Sequence, residues 1–139
     1  MTSAHARLAS VVMFVSDLDR STRFYVDLLG LFPTIRNDSA ALLVGPDGSQ
    51  LYLREIGDKA TRALCSIGTQ YVLWTAESAA DLHACELTLR SGAGRVALTD
   101  EGGFELLEAR DPDGTPVIVT FPGPDEFARE QIISRIYDW

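Results

Sequence analysis

Residues 8–15 read LASVVMFV, an unbroken apolar and β-branched run that predicts a buried strand. Asp17 stands where a helix cap belongs, since its side chain can accept a free N–H of the first turn. From Leu18 the period changes. Leu18, Phe24, Tyr25, Leu28 and Leu29 recur at helical spacing, and Gly30 supplies a stop. LFPTIRN predicts a short strand, Asn37-Asp38-Ser39 a turn, and AALLVG a further strand. Pro46-Asp47-Gly48 then turns the chain into the strand SQLYLREI. The order is strand, helix, strand, strand, strand.

Residues 56–69 show neither period and predict a linker. The order then restarts. TQYVLWTA predicts a strand, and ESAADLHACELTLRSGAG a helix ending at its glycine pair. RVALTD, FELLEARD and TPVIVTF predict three more strands, with turns at Glu101-Gly102-Gly103 and Pro112-Asp113-Gly114. An offset of 61 residues sets Ser10 against Tyr71, Met13 against Trp74, Val15 against Ala76 and Leu28 against Leu89. An offset of 66 aligns the two Pro-Asp-Gly turns and sets Tyr52 against Ile118. Extra chain therefore lies between the helix and the last hairpin of the second half. One βαβββ unit is written twice.

A four-stranded sheet cannot bury both faces alone, so the copies should pack together. The expected fold is α+β, a single domain over residues 1–139. It has two tandem βαβββ modules, at about 8–55 and 70–122, joined by the linker 56–69. Residues 123–139, GPDEFAREQIISRIYDW, lie outside both and predict a C-terminal helix. Asp125 can cap it, and Phe127, Ala128, Ile132, Ile133, Ile136 and Tyr137 form one apolar stripe. That stripe must be covered, by the chain's own sheet or by a partner subunit.

Charge narrows the function. Twenty acidic residues against 12 basic ones leave a net charge of −8. This disfavours nucleic acid and anionic membrane surfaces as partners, and tolerates a cationic ligand. No apolar run reaches the length of a membrane span, and MTSAHARLAS lacks a signal-peptide core, so the expected location is cytoplasmic. Cys65 and Cys85 form no metal or redox motif and read as buried or incidental thiols. No Ser/His/Asp order, P-loop or dinucleotide fingerprint appears, and the catalytic residues are unassigned.

VSDLDRSTRFYVDLLGL (15–31) with its preceding strand, and the hairpin DPDGTPVIV (111–119), resemble the vicinal oxygen chelate superfamily. It includes glyoxalase I, bleomycin-resistance proteins, extradiol dioxygenases and fosfomycin-resistance enzymes. The resemblance covers about residues 8–122. It implies two curved mixed sheets enclosing a cleft, and a homodimer. In metal-dependent members, four His or Glu ligands lie on the first and last strands of the two units. The positions here are Ser10, Tyr52, Tyr71 and Ile118, and none is His or Glu. A one-residue slip does not rescue the set. The expectation is therefore no metal and no cofactor. His5 lies in the N-terminal arm and His83 on the second helix, away from these positions. Glu105 and Glu108, three apart on one strand, should face opposite ways.

Strand alternation supplies the candidate ligand-binding residues: Ser10, Phe14, Tyr52, Arg54, Tyr71, Leu73 and Ile118. Val12, Gln50, Thr75, Pro116 and Thr120 share their faces, while Trp74 falls beneath the helix. Apolar walls with a few polar groups are typical of small-molecule sites. Tyrosine suits planar ligands, although Tyr52 and Tyr71 could equally fill space, and Arg54 could equally cap a surface acid. The sequence thus points to a metal-free binding protein of the bleomycin-resistance type, sequestering an antibiotic or another aromatic or cationic compound. A metal-dependent or tyrosine-based lyase, isomerase or dioxygenase is the alternative. A non-catalytic interaction subunit using the C-terminal helix is the third reading.

Overall fold

The computed structural model describes residues 5–58, 69–123 and 132–133. The chain divides into two compact units, Met1–Thr61 and Arg62–Trp139. The division falls inside the sequence-predicted linker, of which residues 59–68 lie outside the described residues. Cys65 lies there too.

The first unit runs β1 (Ser10–Val15), α1 (Leu18–Leu29), β2 (Phe32–Arg36), β3 (Ala40–Val44) and β4 (Gln50–Glu55). Its sheet has the order β1-β4-β3-β2. β1 runs parallel to β4, and the other pairs are antiparallel. Both ends of α1 follow from local chemistry. The Asp17 carboxylate accepts the Arg20 N–H at 3.1 Å. Glu55, at the end of β4, accepts the Leu18 N–H at 2.9 Å and ties the helix start to the sheet. Two carboxylates thus meet the positive end of the helix dipole. Gly30 closes the helix at φ 65°, its N–H bonded to the Val26 carbonyl.

Leu18, Tyr25 and Leu28 of α1 are buried, as are Ala41, Leu43, Leu51 and Leu53 on the sheet face the helix covers. Ser21 and Thr22 are buried with them, which their polarity conceals in the sequence. Phe24 and Leu29, read as apolar-face residues, are only half-buried. The β1 run departs further from expectation. Val12 is 63% and Phe14 66% exposed, so β1 is covered on one face only. An unbroken apolar run looks like a strand buried on both sides, but α1 shields just one side of this sheet.

The second unit runs β5 (Val72–Thr75), α2 (Ala79–Arg90), β6 (Ala97–Glu101), β7 (Phe104–Arg110) and β8 (Pro116–Phe121), with sheet order β5-β8-β7-β6. Tyr71 precedes β5 instead of opening it. The sequence-predicted glycine stop of α2 is also corrected. The helix ends at Arg90, two residues before Gly92, with Ser91 as its C-cap. The Ser91 N–H bonds the Leu87 carbonyl and its hydroxyl donates to the Thr88 carbonyl at 2.6 Å. Leu82, Cys85 and Leu89 of α2 are buried, and the helix packs on β7 and β8.

The register establishes the repeat residue by residue. Val11 pairs with Leu51 in the first sheet, and Val72 with Val117 in the second. Leu42 pairs with Tyr52, and Glu108 with Ile118. These are the offsets of 61 and 66 read from the sequence. Most of the difference sits in one hairpin. Four residues separate the partners Arg36 and Ala41, whereas eight separate the equivalent partners Leu98 and Leu107. The added length closes on Gly102 and Gly103, at φ 63° and 93°, the left-handed pair that a two-residue hairpin turn requires.

Candidate functional site

On the first sheet the face opposite α1 is built in rows. Phe32, Val44, Gln50 and Ser10 are register partners across all four strands. Ile35, Leu42, Tyr52 and Val12 form the next row. Ala40, Arg54 and Phe14 form the third. Ser10, Phe14, Tyr52 and Arg54 are therefore brought onto one face, as alternation requires. Val12, Phe14, Phe32, Ile35 and Tyr52 are all exposed there. Scattered exposed apolar residues are ordinary, but a contiguous set marks a surface that meets something.

Phe32 and Ile35 were invisible to strand alternation, since residues three apart should face opposite ways. The register shifts between Pro33 and Ile35, and this irregularity turns both onto the same face. Pro33 was the available signal, because a proline inside a strand marks an edge or a bulge. Leu42 and Val44 lie on β3, whereas the ligand pattern implied by the resemblance lies on the first and last strands of each unit.

Arg54 is exposed, and among the described residues no acid pairs with it. It contributes a guanidinium to an otherwise apolar surface. Elsewhere on this unit Arg36 pairs with Asp19 of α1.

The second sheet's corresponding face differs. Leu73, Ile118, Glu108 and Ala97 form the row equivalent to Val12, Tyr52, Leu42 and Ile35. Ile118 is 1% exposed and belongs to a buried cluster with Phe104 and Leu106, against which Tyr71 packs. Ile118 is thus core, not an open wall, while Leu73 remains exposed and Tyr71 half-buried. Glu105 and Glu108 do face opposite ways, pairing with Phe121 and Ile118. Trp74 pairs with the buried Val119 on the helix side.

The ligand positions of the metal-dependent pattern hold a hydroxyl, two phenols and a sec-butyl side chain, which do not fit a divalent metal site. Among the described residues no three His, Cys, Asp or Glu side chains gather in a way that could hold a metal ion. His83 is largely exposed, 3.5 Å from Glu86 on α2, and His5 is exposed in the N-terminal arm. Cys85 is buried, and its thiol is pushed up first by burial and then by the charge of Asp81, the direction of an unreactive thiol.

Burial also pushes the Tyr71 phenol above its ordinary value. The neutral form is favoured in the fold, so the stabilisation is complete below the unfolded phenol's pKa near 10 and is lost as pH rises through the higher folded value. Stability should therefore fall on going from pH ~9 to pH ~11, and Tyr71→Phe should remove part of that loss. Urea midpoints of both proteins at the two pH values decide it. Equal losses would assign the alkaline sensitivity to other groups.

No helix among the described residues is long and apolar enough to cross a membrane. The family model described as Glyoxalase/Bleomycin resistance protein/Dioxygenase superfamily matches residues 7–119. No curated protein sequence matches the chain. Among solved structures, the chain is similar to a glyoxylase/bleomycin resistance protein/dioxygenase domain from Frankia sp. EAN1pec. The TM-score is 0.70 at 22% identity, over 84% of this chain and 98% of that one. It is also similar to a lactoylglutathione lyase from Agrobacterium tumefaciens, with TM-score 0.64 and 18% identity over 84% and 94% of the two chains. The oxidase ChaP-H2 gives 0.68 and 17%, over 86% and 96%. At these identities the likeness establishes the fold, and the neighbours' differing activities transfer to nothing here. The match of the family model, spanning both units and the hairpin that ends each, shows that this chain belongs to the Glyoxalase/Bleomycin resistance protein/Dioxygenase superfamily.

Proposed function

We propose that the protein is a metal-free binder of a small aromatic compound, held against the uncovered face of its first sheet. The observation that carries this reading is the row Ile35, Leu42, Tyr52 and Val12, flanked by Phe14 and Arg54 and left open to solvent. Such a surface offers a flat phenol for stacking, apolar neighbours, and a guanidinium for an oxygen acceptor. Arg54 weighs against a cationic ligand on this face, despite the overall acidity. On the second sheet Ile118 is core and Tyr71 packs against it, so the proposed site lies on the first sheet alone. The side chains at the metal-ligand positions support the absence of a metal from the binding reaction. The raised Tyr71 phenol weighs against a tyrosine-based general base, which works best with a pKa near the working pH. Sequestration of an antibiotic or similar compound, by a cytoplasmic homodimer, completes the proposal.

A thermal-shift screen of aromatic compounds is the test. A ligand at about 100 times its dissociation constant stabilises by about 2.7 kcal/mol. Tyr52→Ala should weaken that ligand by about 1–3 kcal/mol, with little change in the stability of the free protein. Unchanged affinity would remove Tyr52 from the site. One tightly bound metal per purified chain, by elemental analysis, would overturn the metal-free reading.

A further inference from the structure

Two departures from the repeat meet on one face of the second sheet. One is the longer β6–β7 hairpin. Glu108 and Leu106 correspond to Leu42 and Ala40 of the first unit, and beyond them the added length carries Phe104, which is buried. The other is the chain after residue 122, which has no counterpart in the first unit. Of the C-terminal helix expected from the sequence, only residues 132 and 133 lie among those described, and both are helical. Ile132 packs against the cluster of Phe104, Leu106 and Ile118, alongside Tyr71. Ile133 is 70% exposed. Consecutive helical side chains point about 100° apart, so one turns inward and the next outward.

The corresponding face of the first sheet is bare. Tyr52 stands where Ile118 stands in the second sheet, and Val12, Phe14, Phe32 and Ile35 around it are exposed. The difference is chemical as well as geometric. An apolar isoleucine at position 118 suits an apolar occupant, whereas Tyr52 keeps a polar tip at the open surface. The raised Tyr71 phenol agrees with a covered face on the second sheet.

We propose that Ile132 is an internal occupant of the second sheet's face: it fills, over Phe104, Leu106 and Ile118, the kind of surface that the first sheet leaves open, so each chain offers one ligand face instead of two. What the first face binds rests on the reading above; the packing of Ile132 stands without it. The longer hairpin supplies Phe104 to the platform, and Ile132 supplies the cover.

Replacing Ile132 should uncover a second apolar surface. Residues 62–139 carry 13 acidic and six basic side chains, which would repel an anionic dye, so the neutral solvatochromic dye Nile red is the probe. Full-length Ile132→Asp should raise Nile red emission severalfold and shift it to the blue. Amide exchange at Leu106 and Ile118 should quicken, while the first sheet keeps its protection. Ile133→Asp, one residue on, should match the parent protein. Ile132→Ala should give a smaller rise in the same direction, and it decides the matter if Ile132→Asp loses its circular dichroism. Parent-like dye emission and exchange in both Ile132 variants would overturn the proposal. So would an equal rise in Ile133→Asp. None of these readouts uses the aromatic ligand, so failure of the binding reading leaves them intact.

Discussion

Replacing Leu53 by alanine is expected to destabilise the protein by about 2–5 kcal/mol, the range for a buried leucine that leaves a cavity. Leu53 is 0% exposed at the centre of β4, between Met13 of β1 and Ala41 of β3. It lies on the face that α1 covers, where Tyr25 and Leu28 are also buried. The neighbours in sequence provide the control. Tyr52 and Arg54 point to the open face, so alanine at either should change stability by well under ~1 kcal/mol. Urea midpoints of the three variants would show a large, small, small pattern if alternation holds through β4. Comparable losses at Leu53 and Tyr52 would mean that the open face is closed in solution, and would count against it as a binding surface.

Asp111→Ala is expected to cost about 2–3 kcal/mol, because hydrogen bonds to a charged group are worth roughly 1.5–3 kcal/mol each and two part-buried donors lose their acceptor. Asp111 is 5% exposed. Its carboxylate accepts the Asp113 and Thr115 N–H groups, each at 2.9 Å, and so organises the turn into β8. Gly45 occupies the equivalent position of the first hairpin, where a Cβ would come within 2.7 Å of the Ser49 hydroxyl. There the bracing passes to Asp47, which accepts the Ser49 hydroxyl and N–H. These bonds hold the Asp47 carboxyl below the ordinary carboxylate value, with the hydroxyl the larger cause. Its contribution is present above the unfolded pKa and lost as pH falls through the lower folded one. Because Asp47 is exposed, Asp47→Ala should have the smaller effect by far. Thermal melts of the two variants compare the hairpins directly, and equal shifts would refute the division of roles.

Much of the fold was legible because its signals are local. Asp17, Gly30 and the two Pro-Asp-Gly turns act within a few residues of themselves, and each does what its chemistry implies. The repeat was legible because two offsets suffice to align it, and the register in both sheets obeys them. Ser10, Phe14, Tyr52 and Arg54 reach one face because side-chain alternation is a property of the strand itself.

What the sequence determined by itself is therefore the order of elements, their repetition, the caps and turns, and the residue types at the four ligand positions. Tertiary structure decided which faces are covered. Val12 and Ile118 look alike in sequence, as apolar residues of apolar strands. One is exposed because α1 shields only the other side of its sheet. The other is buried in a cluster with Phe104 and Leu106, against which Tyr71 and Ile132 pack. Burial depends on contacts between segments far apart in the chain, and no window of neighbouring residues contains them. The irregularity after Pro33 belongs to the same class, since its effect on Phe32 and Ile35 exists only against the partner strand β3.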